Sequence, residues 1–276
     1  MNKVLIMVAP NGARLTKADH PALPITPQEL AAEAEACLQA GAAAMHLHVR
    51  DAHGAHSLDS AHYGQALDAV REAVGQGMVL QITTEAAGIF GIETQMRVVR
   101  ELRPEAVSIA LREFLPEDAD DARRKQVAGF FGWMAEAGIA PQIILYAPAE
   151  VARLARLVEQ GIMPWDRPFL LFVLGRYGGE AATPEMLEGF LDAFAPLRGR
   201  AAWMACAFGP RQIDVLAQAA RRGGHVRIGF ENGREIAPGQ TARDNAELVH
   251  ALVNRLAEDS HAPMPSASAR ALMGLR

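Results

Sequence analysis

The sequence has few cysteines, no excess of positive charge and no long apolar run. Its 276 residues include two cysteines. Cys37 lies in a helical pattern and Cys206 follows a strand pattern, so no disulfide framework is predicted and both thiols are expected to be reduced. Lys and Arg number 27 against 32 Asp and Glu, and the net charge of -5 leaves no basic footprint for a nucleic acid.

The lack of long apolar runs also excludes a membrane partner. No run reaches the roughly eighteen apolar residues of a membrane-spanning helix. The apolar segment over residues 1–10 is too short for a signal peptide. We therefore expect a cytoplasmic protein. Hydrophobic side chains make up 50% of the sequence, which is enough to bury one large core.

Short apolar runs alternate with amphipathic segments along the whole chain. Eight runs of each kind predict βα units that build a parallel sheet. This pattern favours an α/β fold, a TIM (β/α)8 barrel over residues 1–258, with its active site at the C-terminal ends of the strands. An open doubly wound sheet is the alternative. Residues 259–276 are expected to form a tail that packs on the barrel or on a neighbouring subunit. The predicted strands span 4–9, 43–49, 78–83, 106–110, 142–146, 169–174, 201–205 and 225–230, and the predicted helices span 27–40, 61–74, 92–102, 118–137, 149–160, 184–194, 213–222 and 242–258.

Two histidines stand two positions apart in the second predicted strand. Because successive side chains of a strand point to opposite faces, His46 and His48 share one face. From that face both imidazoles can donate a nitrogen to one cation, and zinc takes such ligands with a carboxylate or water completing the site. The alternative is a pair of core histidines, each with its own hydrogen-bond partner.

The eighth predicted strand also carries polar residues on one face. Alternation sends His225, Arg227 and Glu231 to the barrel interior, where apolar side chains are the rule. We therefore predict that Glu231 is the third metal ligand and that Arg227 belongs to the same site. His225 is expected to orient the site or to pack below it rather than to bind the metal. A buried ion pair between Arg227 and Glu231 without chemistry is the alternative.

Further polar residues fall on the third and fourth strands. Gln81, Thr83 and Glu85 share one face, and Glu85 is either an acid or base or a carboxylate of the next helix start. On the fourth strand Ser108 and Arg112 are expected to alternate with apolar residues.

The segments after the strands add two more expectations. Asn11 and Arg14 directly follow the first strand and are predicted to bind substrate. Arg14 either contacts an anionic ligand there or is solvated at the rim. We expect His53, His56 and His62 to be solvated loop side chains. The glycine-rich turn over residues 175–179 is of a kind that brings backbone amides to phosphate, although this motif alone predicts no ligand.

Taken together, several segments resemble those of the β-keto acid cleavage enzymes over nearly the whole chain. The resemblance implies a zinc-dependent TIM barrel that condenses a β-keto acid with acetyl-CoA and releases acetoacetate and a new acyl-CoA. It also implies that His46, His48 and Glu231 bind the zinc and that the protein is a homo-oligomer, a tetramer or dimer. The segments concerned are residues 11–13, 24–27, 41–51, 172–175 and 223–231.

Three positions depart from that family's pattern. Asn232 stands where typical members have an aspartate that, paired with an arginine, removes the α-proton of the substrate. Because an amide cannot be this base, we expect Glu85 to replace it. Glu85 belongs to the second departure, the segment Thr-Thr-Glu-Ala at residues 83–86, where family members commonly have Ser-Thr-Gly-Gly. Arg227, Thr83 and Ser108 are then expected to stabilise the developing negative charge.

Arg14 is the third departure, since members that select an amine carry an acid there. A guanidinium repels an ammonium group and pairs with a carboxylate, so a neutral or anionic β-keto acid is predicted. Other functions remain open on the residues alone. They are a zinc hydrolase, a zinc aldolase that uses no CoA, and a ligand-binding protein that has lost catalysis.

Overall fold

The computed structural model describes residues 1–275 and contains a closed barrel of eight parallel strands. The barrel closes because the last strand pairs with the first, Val226 lying beside Ile6. Each strand otherwise pairs with its sequence neighbours, so the predicted TIM barrel is confirmed and the open sheet is wrong. The strands are β1 (Ile6–Val8), β2 (Ala44–Leu47), β3 (Val79–Thr83), β4 (Ala106–Ala110), β5 (Ala140–Leu145), β6 (Phe169–Leu174), β7 (Ala202–Ala207) and β8 (His225–Ile228).

Helices separate successive strands and cover the outside of the barrel. The short helix Leu111–Phe114 was not predicted, and it takes Arg112 out of the strand alternation expected for it. The helices are α1 (Pro27–Ala40), α2 (Ser60–Val74), α3 (Ile92–Leu102), α4 (Leu111–Phe114), α5 (Asp121–Glu136), α6 (Pro148–Glu159), α7 (Met186–Phe194), α8 (Gln212–Arg221), α9 (Asn245–Glu258) and α10 (Ser266–Leu272).

Helix α1 shows how local sequence sets these boundaries. The Thr26 hydroxyl accepts a hydrogen bond from the Glu29 amide, and the Glu29 carboxylate accepts one from the Thr26 amide. Pro27 occupies the first helical position. Gly41 ends the helix at φ +115°, a conformation that L side chains rarely adopt. The capping residues that begin and end this helix are therefore the ones from which the sequence predicts it.

The barrel interior changes from apolar to polar along the strands. At the N-terminal end, inward residues such as Met7, Val79 and Leu171 form an apolar cluster. Two residues further along β2 and β3 the inward positions are His46 and Gln81, which lie opposite each other in the strand register. This gradient puts polar chemistry at the C-terminal end, where loops can shape a site.

The C-terminal segment closes the apolar end. His261–Pro263 pairs in parallel with Asn2–Val4, and α10 places Ala269 and Met273 against the apolar cluster. Arg276, the last residue of the predicted tail, lies outside the described residues. Among residues 1–275, no helix has the length and apolar character that a membrane span requires.

Candidate metal centre and active site

Three potential metal ligands converge at the C-terminal end of the barrel. His46 and His48 are buried and come from β2 and its end, and Glu231 follows β8. The two Nε2 atoms lie 3.1 Å apart, and the Glu231 Oε2 lies 3.6 Å from the first and 3.5 Å from the second. With bonds of about 2.0–2.2 Å, tetrahedral zinc holds its ligand atoms about 3.3–3.6 Å apart. The two distances to Glu231 fall within this range and the distance between the histidines is about 0.2 Å shorter, so the donor set fits a zinc ion after a small movement of one ring.

The charges of these ligands also suit a metal. Burial lowers the pKa of His46 to about 3, so its imidazole is neutral and offers a lone pair. Burial alone would raise the pKa of Glu231, but the charge of Arg227 holds that pKa well below its usual range. The Oε2 of Glu231 is buried and has no hydrogen-bond partner among the described residues. A cation between the three groups would satisfy it.

Gln81 fixes the orientation of His46. The Nδ1 of His46 donates to the Gln81 Oε1 over 2.8 Å, and this contact leaves Nε2 free for a metal. Gln81 is in turn held by Gln142, whose Oε1 accepts from its Nε2 over 3.4 Å. Both glutamines are fully buried in the barrel interior.

We expect Gln81→Leu to weaken zinc binding by about 10- to 100-fold, the usual cost of losing the partner that orients a metal-bound histidine. Gln212→Leu is the matched control, because it removes a fully buried amide on α8 that bonds to neither His46 nor Gln81. Zinc dissociation constants measured by competition with a chromogenic chelator test this. Equal affinities of the two variants would contradict the role of Gln81.

Asn11 anchors the main chain at His48. Its Nδ2 donates to the His48 carbonyl over 3.0 Å and to the Pro24 carbonyl over 3.1 Å, and its Oδ1 accepts from the His48 amide over 3.3 Å. The strand β2 ends before His48, so these bonds replace strand pairing there. Asn11 also lines the cavity beside the candidate metal ligands. Its side-chain amide already forms hydrogen bonds with the main chain there.

A glycine turn at the end of β8 presents Glu231. Gly229 has φ +146°, and the amide of Glu231 donates to the Ala9 carbonyl over 3.1 Å. The predicted strand runs to residue 230, but this turn ends it at Ile228. Arg227 donates to the Glu231 Oε1 over 2.9 Å, which leaves Oε2 for the metal centre.

Gly229→Ala is expected to destabilise the fold by about 2 kcal/mol or more, through backbone strain and overlap. A Cβ at this position would lie 2.3 Å from the Ala9 carbonyl oxygen, which β1 holds in place. Gly239→Ala is the control, since Gly239 has φ +80° but no atom within 4 Å of an added Cβ. Urea unfolding of both variants checks this, and similar losses would show that the close approach to Ala9 costs nothing.

A cavity of about 300 Å³ opens beside the ligands and brings together residues from distant parts of the sequence. Thr83 and Ser108 lie side by side on β3 and β4, with 3.4 Å between their hydroxyl oxygens. The Thr83 hydroxyl also accepts from the Glu85 amide over 2.9 Å. Hydroxyl donors and a carboxylate therefore face the same space. The predicted residues that line it are Asn11, Arg14, His46, Thr83, Glu85, Ser108, Arg227 and Glu231.

Glu85 lies between an arginine and the candidate metal ligands. Its Oε1 lies 2.7 Å from an Arg14 guanidinium nitrogen, and its Oε2 lies 4.0 Å from the His48 Nε2. The sequence did not predict this pair of Arg14 with Glu85, because the two residues belong to different βα units. The pair balances the charge of Arg14 when no substrate is bound.

The expectation for His56 is wrong. It was predicted to be solvated, but it is buried on a two-residue strand, His56–Ser57, that pairs with Val49–Arg50. Its Nε2 donates to the Glu85 carbonyl over 2.9 Å, and its ring centroid lies 5.2 Å from that of His48. Burial lowers the pKa of His56 to about 3, which keeps the ring neutral. His56 thus supports the segment that carries Glu85.

The other residues that the sequence analysis singled out do not all lie at the candidate site. Asn232 is buried but lines a neighbouring cavity rather than the one beside the metal ligands. His225 lies at the apolar end, where its Nδ1 accepts from the Leu5 amide over 3.1 Å. Arg112 lines the site cavity from helix α4, with its guanidinium 4.1 Å from the ring centroid of Tyr146. Sequence patterns gave no sign of Tyr146, which follows β5.

Comparisons with known proteins agree with this arrangement. A profile of the family described as beta-keto acid cleavage enzyme matches residues 3–275. The 3-keto-5-aminohexanoate cleavage enzyme of Acetoanaerobium sticklandii is 31% identical over 278 residues, covering 100% of this chain and 99% of the relative. The 3-oxoadipate:acetyl-CoA acetyltransferase of Cupriavidus necator is 27% identical over 273 residues, covering 98% and 94%.

The fold is also similar to solved structures. A ternary complex of ObcA with a C4-CoA adduct and oxalate superposes with a TM-score of 0.73 at 18% identity, covering 92% of this chain and 68% of ObcA. At that identity the likeness concerns the fold alone. The family profile covers nearly the whole chain, a range that includes His46, His48 and Glu231. This chain belongs to the β-keto acid cleavage enzyme family.

Proposed function

We propose that this protein is a zinc-dependent enzyme that condenses a neutral or anionic β-keto acid with acetyl-CoA and forms acetoacetate and a new acyl-CoA. The observation that carries the proposal is the His46, His48 and Glu231 donor set beside a cavity that also contains the Glu85 carboxylate. Family membership supports the cleavage of a β-keto acid. The name of the Cupriavidus necator relative supports acetyl-CoA as the second substrate.

Glu85 is the proposed base. Zinc held by the three ligands would supply Lewis-acid chemistry that polarises a carbonyl group. Glu85 takes a proton from the carbon between the keto and carboxylate groups of the substrate. That carbon forms a bond to the acetyl carbonyl of acetyl-CoA, and the CoA thiolate leaves. The thiolate then attacks the original keto carbon, the bond from this carbon to the α-carbon breaks, and protonated Glu85 returns the proton to acetoacetate.

Three residues are proposed to stabilise the negative charge of this sequence. Arg227 is buried beside Glu231. Burial lowers the pKa of Arg227, but the attraction of the Glu231 carboxylate raises that pKa by more, so the pKa lies above its usual range and Arg227 keeps its charge. The hydroxyl groups of Thr83 and Ser108 line the cavity opposite. Fixed donors of this kind act most strongly in a site from which water is excluded.

The charges of the cavity favour an anionic far end on the β-keto acid. Its charged lining residues are four arginines and two glutamates, namely Arg14, Arg112, Arg176, Arg227, Glu85 and Glu231. We expect kcat/KM to fall from anionic through neutral to cationic substrates of equal length. Arg14→Leu should reduce the ratio of kcat/KM for anionic over neutral substrates. An aminated β-keto acid as the best substrate would contradict the prediction.

A coupled assay on the zinc-loaded protein tests the function itself. Acetyl-CoA is incubated with a panel of β-keto acids, and the acyl-CoA products are followed by mass spectrometry. The proposal expects acetoacetate and one new acyl-CoA in equal amounts. Turnover of the β-keto acid without acetyl-CoA would instead indicate a hydrolase or aldolase, and tight binding without turnover would indicate a ligand-binding protein. Either result would overturn the proposal.

The proposal extends to assembly and location. We propose a cytoplasmic homo-oligomer, a tetramer or dimer. The free thiols of Cys37 and Cys206, both buried, suit a reducing compartment. Sedimentation velocity measures the number of subunits, and a monomer at all concentrations would contradict this part of the proposal.

A further inference from the structure

The cavity beside the metal ligands cannot hold all of acetyl-CoA. At about 300 Å³ it lies at the lower end of the range for pockets that hold small ligands, and the β-keto acid must share it with the acetyl group. The rest of an acyl-CoA, a long diamide arm followed by a nucleotide, must therefore leave through a neighbouring space.

Such a space adjoins the site. A second cavity of about 580 Å³, here called the side cavity, is lined by residues 176–179, 208–210 and 230–235 together with Leu15, Asp19, Ala181 and Thr241. Glu231, Tyr177 and Phe208 line both cavities, so the two are adjacent at the metal ligand. A thioester placed beside Glu231 can extend into the side cavity.

Asn232 belongs to this wall, and its side-chain amide is shielded from solvent, so a ligand in the side cavity reaches it by rotation of the side chain. The residue is 4% exposed, and neither its Nδ2 nor its Oδ1 has a hydrogen-bond partner among the described residues. Its main chain is held on both sides, because its amide donates to the Gly229 carbonyl over 3.0 Å and its carbonyl accepts from the Gly209 amide over 3.1 Å. A buried side chain with one free donor and one free acceptor is costly unless a ligand or water pairs with it.

We propose that the side cavity binds the pantetheine arm of the acyl-CoA substrate and that Asn232 pairs with one of the two amides of that arm. An amide side chain can accept from the N–H of the arm and donate to its C=O, whereas a carboxylate can only accept. This inference rests on the proposed function, and it gives Asn232 a role in binding the second substrate. Arg176 is exposed at the rim of both cavities and forms no ion pair within residues 1–275. Its guanidinium group is therefore placed to bind the phosphates of the nucleotide.

Titration calorimetry with two thioesters separates these contacts. Acetyl-CoA and S-acetylpantetheine share the diamide arm, but only acetyl-CoA carries the phosphates. Asn232→Ala is expected to weaken the binding of both by about tenfold, the value of two neutral hydrogen bonds. Asn232→Asp should weaken both as well, because it keeps the shape and loses the donor. Arg176→Ala should weaken acetyl-CoA alone. Asn254→Ala, which removes an exposed amide from α9, is the matched control.

Zinc content and thermal unfolding are measured on each variant, since Asn232 adjoins the ligand Glu231. If Asn232→Ala loses zinc or fails to fold, the Asn232→Asp protein decides the question. Unchanged affinity for both thioesters in zinc-loaded Asn232 variants, with normal turnover by the wild type, would overturn this inference alone and indicate that a water satisfies the amide. A wild type that binds neither thioester and forms no acyl-CoA would overturn the proposed function and this inference together.

Discussion

Replacement of His48 by alanine should greatly reduce turnover and zinc retention together. Its Nε2 lies 3.1 Å from that of His46 and 3.5 Å from the Glu231 carboxylate, so its loss leaves two protein ligands where zinc needs three. Lewis-acid stabilisation of a developing oxyanion is worth several kcal/mol. The expected fall in kcat/KM is therefore on the order of 10³-fold. Metal analysis after dialysis and steady-state kinetics on the same samples provide the test.

His48 is the most informative ligand to remove. Changing Glu231 would leave the buried Arg227 without its carboxylate, and the protein could lose stability for that reason alone. His62→Ala is the matched control, because His62 contacts Ser57 outside the cavity. Removal of zinc from the wild-type protein with a chelator should reproduce the loss of turnover, and addition of zinc should restore it. Full activity of metal-free protein would rule out the proposed role of the metal.

The barrel fold and the inward position of His46 could be predicted from the sequence because both depend on strand alternation, whereas His48 and Glu231 lie beyond the strand ends. In a barrel the inward face is defined by every second residue, so His46, Gln81, Thr83 and Arg227 could be assigned to the interior from their strand positions. The strand register then decides which of these residues become neighbours. It places His46 beside Gln81 and Thr83 beside Ser108.

Contacts made by loops could not be predicted in this way. Beyond the strand ends no periodicity relates residues, and a side chain's direction depends on turns and on distant partners. The sequence predicts a solvated His56 because the two-residue strand that carries it is too short to leave a pattern. The contact between Arg14 and Glu85 joins the first and third βα units. Asn232 directly follows a metal ligand, yet the turn after Gly229 brings it to the side cavity.

Glu85→Gln is expected to lower kcat by about 10²- to 10⁴-fold, the usual contribution of a general base, while zinc stays bound. Glutamine keeps the shape of the side chain and removes its ability to accept the α-proton. We expect Glu85 to be the base because of its position. Its Oε2 lies 4.0 Å from the His48 Nε2, and its Oε1 is held by Arg14. Incubation of the β-keto acid in D₂O without acetyl-CoA isolates the step, and deuterium entering the α-carbon is measured by NMR.

Wild type should exchange the α-proton faster than the uncatalysed reaction, and the Glu85→Gln protein should not. Arg14→Leu is the control variant, because it removes the partner of Glu85 and leaves the carboxylate in place. It should retain exchange, with its main effect on the KM of anionic substrates. Exchange at the wild-type rate in Glu85→Gln would show that another group takes the proton. Loss of exchange together with loss of zinc would instead indicate that Glu85 supports the metal centre. Loss of exchange with zinc retained is the result that only a base at position 85 explains.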